Sequence, residues 1–119
     1  MVLADTSIWI DHFNRSDSIL ITLLNDYEVV MHPYILGELA CGNFKNRKKI
    51  FGLLSNLPTI NKISDEEYFL FLENNKLYGK GLGFVDIHLL ASSLIHRCEI
   101  YTRDKTLLSI ANTYTIAYK

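Results

Sequence analysis

Four acidic residues stand where alternating strands and helices would bring carboxylates together: Asp5, Glu38, Asp86 and Asp104. Asp5 ends the apolar run at the start of the chain, and Asp104 follows a second apolar run near its end. Asp86 opens a helical stretch after a glycine-rich loop, and Glu38 lies about one turn into an earlier helical stretch. Because the loops at the carboxyl ends of parallel strands converge at one edge of an open α/β sheet, we expect the four carboxylates at that edge.

Such a cluster of carboxylates indicates a bound cation. The acids repel one another, and a partly desolvated crevice makes that repulsion costly unless a counterion is present. Oxygen ligands without a neighbouring His or Cys suit a hard ion, Mg²⁺ or Mn²⁺, and disfavour zinc. Such an ion can activate a water molecule and neutralise the charge that develops on phosphorus during in-line attack. The pattern therefore favours metal-assisted hydrolysis of a phosphodiester.

Each acid also has a purely structural interpretation. Three of the four stand at helix starts and could serve only as N-caps or first-turn acids. Glu38 could be an ordinary solvated helix residue, although Tyr34 and Cys41 at helical spacing predict that apolar groups enclose at least half of it. If all four acids act in this way, the chain is a non-enzymatic α/β interaction module that binds no cation.

A receiver-like phosphoacceptor domain is a further alternative, because that class has a similar length and also carries acids at strand ends. It needs an acid pair after the first strand and a lysine at the end of a late strand. Here Asp5 stands alone, and Lys105 follows Asp104 instead of ending a strand. The receiver interpretation therefore fits the sequence less well than a hydrolytic metal site.

The elements that must position the acids alternate along the chain. Short apolar runs predict strands at 2–5, 29–32, 59–63 and 100–102, with a possible edge strand at 115–118. Apolar periodicity and capping residues predict helices at 7–13, 16–24, 33–41, 44–56, 64–78 and 85–96, with a last helix capped by Asp104. The alternation predicts one α/β domain over residues 1–119, a three-layer α/β/α sandwich with a mainly parallel central sheet.

Composition agrees with a single hydrophobic core. The 119 residues are 49% hydrophobic and 21% charged, and 2 prolines, 6 glycines and 2 cysteines exclude collagenous, disordered and disulfide-rich classes. The longest apolar run, 68–72, is far shorter than the roughly twenty residues of a membrane span. The first ten residues lack a basic leader, so we expect a cytoplasmic protein. Cys41 and Cys98 are expected to be buried free thiols.

Basic residues are unevenly distributed, although 12 bases and 13 acids leave a formal net charge of −1. Residues 41–64 hold five bases and no acid, which can be the solvated face of a helix. Alternatively, bases around an acidic centre could hold phosphates of a nucleic acid. The candidates for phosphate contact are Lys45, Arg47, Lys48, Lys49, Lys80, Arg103 and Lys105.

The four acidic motifs together resemble a known family. Val2–Ser7, Glu38–Gly42, Asp86–Ala91 and Thr102–Asp104 are similar in order and type to the motifs of PIN-domain ribonucleases. The likeness is greatest to the VapC toxins of bacterial toxin–antitoxin pairs, and it covers nearly the whole chain. Each motif is weak alone, but four acids in this order in a chain of this length are a fairly specific signal.

The resemblance implies an activity and a site. Asp5, Glu38 and Asp86 would form a site for Mg²⁺ or Mn²⁺, with Asp104 as a fourth acid that acts directly or through water. The implied activity is endoribonucleolytic cleavage of structured RNA. The departures are minor: His88 and the Ser92–Ser93 pair stand where small or apolar residues are commoner. They concern packing near the C terminus and leave the four acids intact.

The resemblance also implies supporting residues and partners. Ser7 and Thr102 match hydroxyl positions that support the site in the family. The implied partners are a second copy of the chain and a small antitoxin whose C-terminal segment covers the active-site groove. Trp9, Phe13 and the run 68–72 exceed what one small core obviously needs, which agrees with such partners, although core packing is the simpler explanation.

Overall fold

The sheet at the centre of the molecule has three parallel strands. A computed structural model describes residues 1–119, and the strands are β1 (Val2–Ala4), β2 (Val29–Val30) and β3 (Glu99–Tyr101). Their order is β2-β1-β3, with Leu3 of β1 opposite both Val30 and Ile100. The first strand therefore lies in the middle and is buried along its whole length. The predicted α/β class and parallel sheet are confirmed.

Seven helices cover the sheet: α1 (Thr6–Asn14), α2 (Ser18–Asn25), α3 (Pro33–Ala40), α4 (Arg47–Ser55), α5 (Asp65–Asn74), α6 (Phe84–His96) and α7 (Lys105–Thr113). One buried cluster joins β1 and β2 to side chains of α1 to α4. A second cluster joins β3 to side chains of α5, α6 and α7. Together they give the three-layer sandwich expected from the sequence. None of these helices combines the length and the apolar character that a membrane crossing requires.

Two predicted strands are reduced to single bridges. The segment 59–63 pairs with the sheet only at Thr59, opposite Met31, where the Met31 amide donates to the Pro58 carbonyl at 2.7 Å. Ile63 then packs in the second cluster, so the chain leaves the sheet within a few residues. The segment 115–118 pairs only at Ala117, opposite Ile100, because the left-handed backbone at Thr115 (φ 61°) bends the chain just before it. The third strand predicted at 59–63 was wrong.

Several helix ends also differ from the prediction. Asp17, not Ser16, caps α2, because its carboxylate accepts from the Leu20 amide at 2.8 Å. Helix α4 begins at Arg47 instead of residue 44, since Asn46 has a left-handed backbone (φ 55°). Helix α5 opens with the expected Ser64 capping box, but it ends at Asn74, four residues short of the predicted 78.

The two cysteines are free, as expected, but they differ in exposure. Cys98 is buried in the first cluster. Cys41 is exposed, which corrects the prediction of a buried thiol. It lies just beyond the end of α3, where its Sγ points back to the Gly37 carbonyl at 3.5 Å and no other element covers it.

Candidate active site

Asp5 is the most tightly held of the four acids. It follows β1, caps α1 and is only 6% exposed. Its Oδ1 accepts hydrogen bonds from the Ser7 hydroxyl at 2.5 Å and the Ile8 amide at 3.3 Å, and its Oδ2 accepts from the Thr102 hydroxyl. Its own amide donates to the Tyr101 carbonyl at 3.0 Å. The carboxylate is therefore fixed between the ends of the two neighbouring strands β1 and β3.

Asp104 is connected to Asp5 through one hydroxyl group. The Thr102 Oγ1 donates to Asp5 and accepts from the Asp104 amide at 3.0 Å. The Asp104 carboxylate is exposed, and its Oδ1 caps α7 by accepting from the Leu107 amide at 2.8 Å. Both hydroxyl residues named from the sequence, Ser7 and Thr102, thus bind Asp5 directly.

Glu38 lies on α3 and reaches the start of α1. The Thr6 hydroxyl donates to its Oε1 at 2.7 Å, which places Glu38 beside the residue that follows Asp5. The side chain is exposed, so the expected enclosure by apolar groups is wrong. Ile35 and Leu39 form the buried face of α3, and Glu38 lies on the face left open to solvent. Thr6 was not singled out from the sequence, although it adjoins Asp5 and carries a hydroxyl.

Asp86 is the acid whose pKa is raised by burial and by the negative charges of the other three. It is half-buried in the first turn of α6, and its Oδ2 accepts from the Gly83 amide at 3.1 Å. Burial raises the pKa of the Asp86 carboxyl, and the negative charges of Asp104, Asp5 and Glu38 raise it further against the hydrogen bond from Gly83. The other three acids predicted to share one edge with Asp86 therefore lie within electrostatic reach of it.

The cluster offers the carboxylate oxygen ligands that a hard cation prefers. No Lys or Arg forms a salt bridge with any of the four acids. Glu38, Asp86 and Asp104 each use one carboxylate oxygen in a hydrogen bond and keep the other free of protein donors. No three His, Cys, Asp or Glu side chains close into a ready cage for a metal ion. Mg²⁺ retains several waters and often takes only one or two carboxylates, so the residues present fit a hydrated hard cation.

The capping interpretation is correct for three of the four acids. Asp5 and Asp104 each cap a helix, and Asp86 accepts a hydrogen bond from the Gly83 amide at the start of α6. Capping alone does not explain why three capping acids lie together with Glu38, since their mutual repulsion raises the free energy of the metal-free fold. The two roles are compatible, because the amide caps of Asp86 and Asp104 occupy only one oxygen of each carboxylate.

Two of the seven bases considered for phosphate contact already have protein partners. Arg47 donates from Nε to the Gly42 carbonyl at 3.1 Å and from Nη2 to the Ala40 carbonyl, so it binds the end of α3. Arg103 forms salt bridges with Asp11, at 3.1 Å, and with the buried Asp17. The remaining candidates are exposed and form no salt bridge: Lys45, Lys48, Lys49, Lys80 and Lys105.

A buried histidine connects the two helices that carry Glu38 and Asp86. The His32 Nδ1 caps α3 by accepting from the Tyr34 amide at 3.0 Å, and its Nε2 lies 3.1 Å from the Ser92 hydroxyl of α6. Burial lowers the pKa of His32 to about 4, and positive charge at His88, Lys62 and His96 adds to that effect. The imidazole is therefore neutral near pH 7. Sequence reasoning assigned it no role, and the available signal was its place just before Pro33 at a helix start.

The sheet order, the surrounding helices and the acidic edge define a PIN-like α/β protein, and comparisons with known proteins agree. No protein-family model matches the chain. The Mycobacterium tuberculosis protein Ribonuclease VapC32 is 40% identical over 108 residues, which cover 90% of this chain and 87% of that protein. At that identity and coverage, the chain belongs to the VapC ribonuclease family.

Solved structures show the same fold at lower sequence identity. A toxin–antitoxin complex from Klebsiella pneumoniae has a chain with a TM-score of 0.67 and 23% identity, and the match covers 87% of both chains. FitAcB from Neisseria gonorrhoeae has a TM-score of 0.60 and 17% identity, with 94% of both chains covered. At these identities the likeness concerns the fold alone.

Proposed function

We propose that the protein is the toxin of a toxin–antitoxin pair, an endoribonuclease that hydrolyses RNA with Mg²⁺ or Mn²⁺ at Asp5, Glu38, Asp86 and Asp104. The observation that carries the proposal is the arrangement of the four acids. The Thr102 hydroxyl joins Asp5 to Asp104, Thr6 joins Glu38 to the start of α1, and the negative charges of these three acids act on Asp86. No Lys or Arg forms a salt bridge with any of the four. When bound, the ion would supply an activated water and neutralise charge that develops on phosphorus. An RNA substrate also favours a cytoplasmic protein.

The residues around the acids would hold them in place for this chemistry. Ser7 and Thr102 restrict the rotation of the Asp5 carboxylate, and Thr6 does the same for Glu38. Asp104 would contact the ion directly or through a water, since its carboxylate is exposed and retains one free oxygen. Side chains fixed by such supporting hydrogen bonds need little reorganisation when a cation or a substrate binds.

RNA cleavage by the purified protein tests the proposal. Cleavage should appear with Mg²⁺ or Mn²⁺, stop in excess chelator and nearly vanish in Asp86→Asn. The matched control is Asp65→Asn, because Asp65 is also a first-turn acid but lies at the start of α5. Cleavage that survives the chelator, or that Asp65→Asn reduces as much as Asp86→Asn, would contradict the mechanism.

An apolar groove that adjoins the cavity at Glu38 supports an antitoxin partner. The groove measures about 510 Å³, and it is lined by Trp9, His12, Phe13, Leu24, Ile50, Leu53, Leu54 and Leu57. Phe13 also lines an adjoining cavity of about 230 Å³ that includes Glu38. We propose that an amphipathic segment of a small antitoxin lies in the groove and reaches the acidic edge. One similar solved structure is a toxin–antitoxin complex from Klebsiella pneumoniae, which agrees with this occupant.

A charge placed in this groove tests the antitoxin proposal. Leu53 is 61% exposed, so Leu53→Glu should fold and cleave RNA normally. Co-expression with an antitoxin that restores growth of cells expressing the unaltered chain should then fail to restore growth of cells that express Leu53→Glu. Equal neutralisation of both proteins would place the antitoxin elsewhere.

A second copy of the chain is the other proposed partner. Phe69 and Leu70 of α5 are 61% and 55% exposed, and adjacent exposed apolar side chains of this size are typical of contact surfaces. Phe69→Glu should therefore halve the molar mass measured by light scattering. An unchanged mass would exclude this surface.

A further inference from the structure

Phe84 presents an aromatic ring to solvent next to the acidic edge. It is the first residue of α6, two positions before Asp86, and it is 52% exposed. The ring packs against three other rings, because its centroid lies 4.5 Å from His88, 4.9 Å from Tyr68 and 5.9 Å from Tyr34. About half of the residue's surface nevertheless remains open to solvent.

The supporting rings connect Phe84 to both of the helices that carry Glu38 and Asp86. Tyr34 lies one helical turn before Glu38 on the same face of α3. Because Tyr34 packs against the Phe84 ring and Asp86 follows on α6, the ring borders both acid-bearing helices. A substrate held at Glu38 and Asp86 would therefore have Phe84 beside it.

The aromatic support under Phe84 is rigid. His88 is fully buried, and its ring stacks on Tyr68 with centroids 4.7 Å apart and an angle of 11° between the planes. Neither ring nitrogen of His88 has a hydrogen-bond partner, so the imidazole serves here as a flat packing surface. A ligand that stacks on Phe84 would meet a side chain that is already ordered, which lowers the entropy cost of binding.

We propose that Phe84 stacks on one unpaired nucleobase of the RNA substrate, an inference that rests on the proposed ribonuclease function. A flat ligand suits an aromatic ring that is half exposed to solvent, and base stacking on an aromatic side chain tolerates any base. The Lys62 ammonium lies 5.6 Å from the centre of the Tyr34 ring, which provides a cation for a neighbouring phosphate. A base within a duplex is stacked on both faces and cannot use this surface. The site therefore selects RNA with an unpaired base next to the cleaved bond.

RNA binding by uncleaving protein tests this proposal. All variants carry Asp5→Asn, so that the probe stays intact, and the probe is a single-stranded oligoribonucleotide with one 2-aminopurine. Phe84→Leu keeps the packing volume and removes the π-face, so it should weaken binding about tenfold and abolish the quenching of 2-aminopurine. Phe84→Trp should bind at least as tightly as Phe84. Tyr27→Leu is the control, since Tyr27 is also an exposed aromatic residue but lies before β2, at the amino end of the strands, and the affinity of this variant should not change.

Three results would overturn the stacking proposal. The first is equal affinity of the parent and Phe84→Leu, and the second is an equal loss of affinity for a blunt RNA duplex. The third is a change of molar mass in Phe84→Leu, which would make the ring a contact between copies of the chain. If the wild-type protein cleaves RNA while any of these holds, only the stacking fails. If the wild type neither binds nor cleaves RNA, the ribonuclease proposal fails and the stacking falls with it.

Discussion

Asp5 and Asp104 are held by a connected hydrogen-bond network, whereas Glu38 and Asp86 each have one hydrogen bond. The first pair follows strands β1 and β3 and shares the Thr102 hydroxyl between Asp5 Oδ2 and the Asp104 amide. The second pair lies on α3 and α6 and depends on how those helices pack. Asp5 and Asp104, the strand half of the acidic edge, are therefore fixed by the sheet. Glu38 and Asp86, the helix half, are fixed by contacts between helices.

This difference identifies the contacts that keep the site together. The strand half needs only residues at the ends of adjacent strands, which the parallel register aligns. The helix half needs a fixed distance between α3 and α6, and the buried His32–Ser92 pair supplies a direct polar contact between them. Substitutions in the two halves should consequently fail in different ways.

The largest expected effect is the loss of RNA cleavage when an acid is neutralised. Asp5→Asn, Glu38→Gln and Asp86→Asn should each reduce the cleavage rate at least about a hundredfold, because stabilisation by a metal ion is worth several kcal/mol. Asp104→Asn should cost less if its contact runs through water. Initial cleavage rates at saturating Mn²⁺ would rank the four. Full activity in Asp5→Asn would remove the strand half from the mechanism.

A smaller effect is expected on stability in the presence of metal. Mg²⁺ or Mn²⁺ at one hundred times its dissociation constant should stabilise the fold by about 2.7 kcal/mol and raise its melting temperature. Asp86→Asn should lose most of this shift. No shift in the wild-type protein at saturating metal would show that the acids share no cation.

The metal-free protein should also respond to pH through Asp86. The pKa of its carboxyl is raised in the folded state, so the folded protein binds this proton more readily than the unfolded chain. The stability that the protonated form contributes is fully present below about pH 4 and is lost as pH rises through the folded pKa. Metal-free Asp86→Asn should therefore melt no lower than wild type at pH 7, whereas Asp86→Ala, which also lacks the cap, controls for the good capping ability of asparagine.

The stability that His32 contributes to the helix half depends on pH in the opposite direction to that of Asp86. Its folded pKa of about 4 lies below the ordinary value of 6.5, so the stability from the neutral imidazole is complete above pH 6.5 and is lost as pH falls towards 4. Ser92→Ala should weaken Mn²⁺ binding about tenfold, as loss of a supporting contact does, and leave the capping hydrogen bond of His32 intact. A titration of Mn²⁺ by calorimetry would measure this. An unchanged affinity would mean that the contact between α3 and α6 does not position Glu38 or Asp86.

The smallest effect is expected from the exposed lysines, which lie outside both halves. Replacement of Lys45, Lys48 and Lys49 by Ala should lower the slope of log affinity against log salt by about 2, since each contact with single-stranded RNA releases about 0.7 counterion. Arg47 is kept in this variant because it binds the end of α3. Mn²⁺ affinity should not change. An unaltered slope would mean that these three lysines do not contact RNA and are only part of a solvated surface.

Local sequence signals predicted the strand half well and the helix half poorly. Asp5 and Asp104 were identified because an apolar run followed by a capping acid is a local pattern, and both acids do cap helices. The exposure of Glu38 and the bridge between His32 and Ser92 depend on residues distant in sequence, 60 positions apart in the latter case. Periodicity identifies the neighbours of a residue on its own helix, but it does not reveal what the next helix leaves uncovered.

The predicted strand at 59–63 failed for a related reason. An apolar run can join a sheet or fill a cluster, and propensity does not distinguish these outcomes. Thr59 joins the sheet through a single bridge to Met31, and Ile63 packs among α5, α6 and α7. Tertiary packing decides whether residues 59–63 join the sheet or fill a cluster, and the sequence of this segment alone does not reveal that packing.

The Thr102 hydroxyl bond to Asp5 joins residues 97 positions apart, and this separation has a consequence during synthesis on the ribosome. Strand β1 emerges first but lies in the middle of the sheet, so it must wait for β3 before its second edge is paired. A nascent chain that stops before residue 99 has Asp5 but lacks β3, Thr102 and Asp104. The proposed site would therefore be complete only after the segment 99–104 has left the exit tunnel.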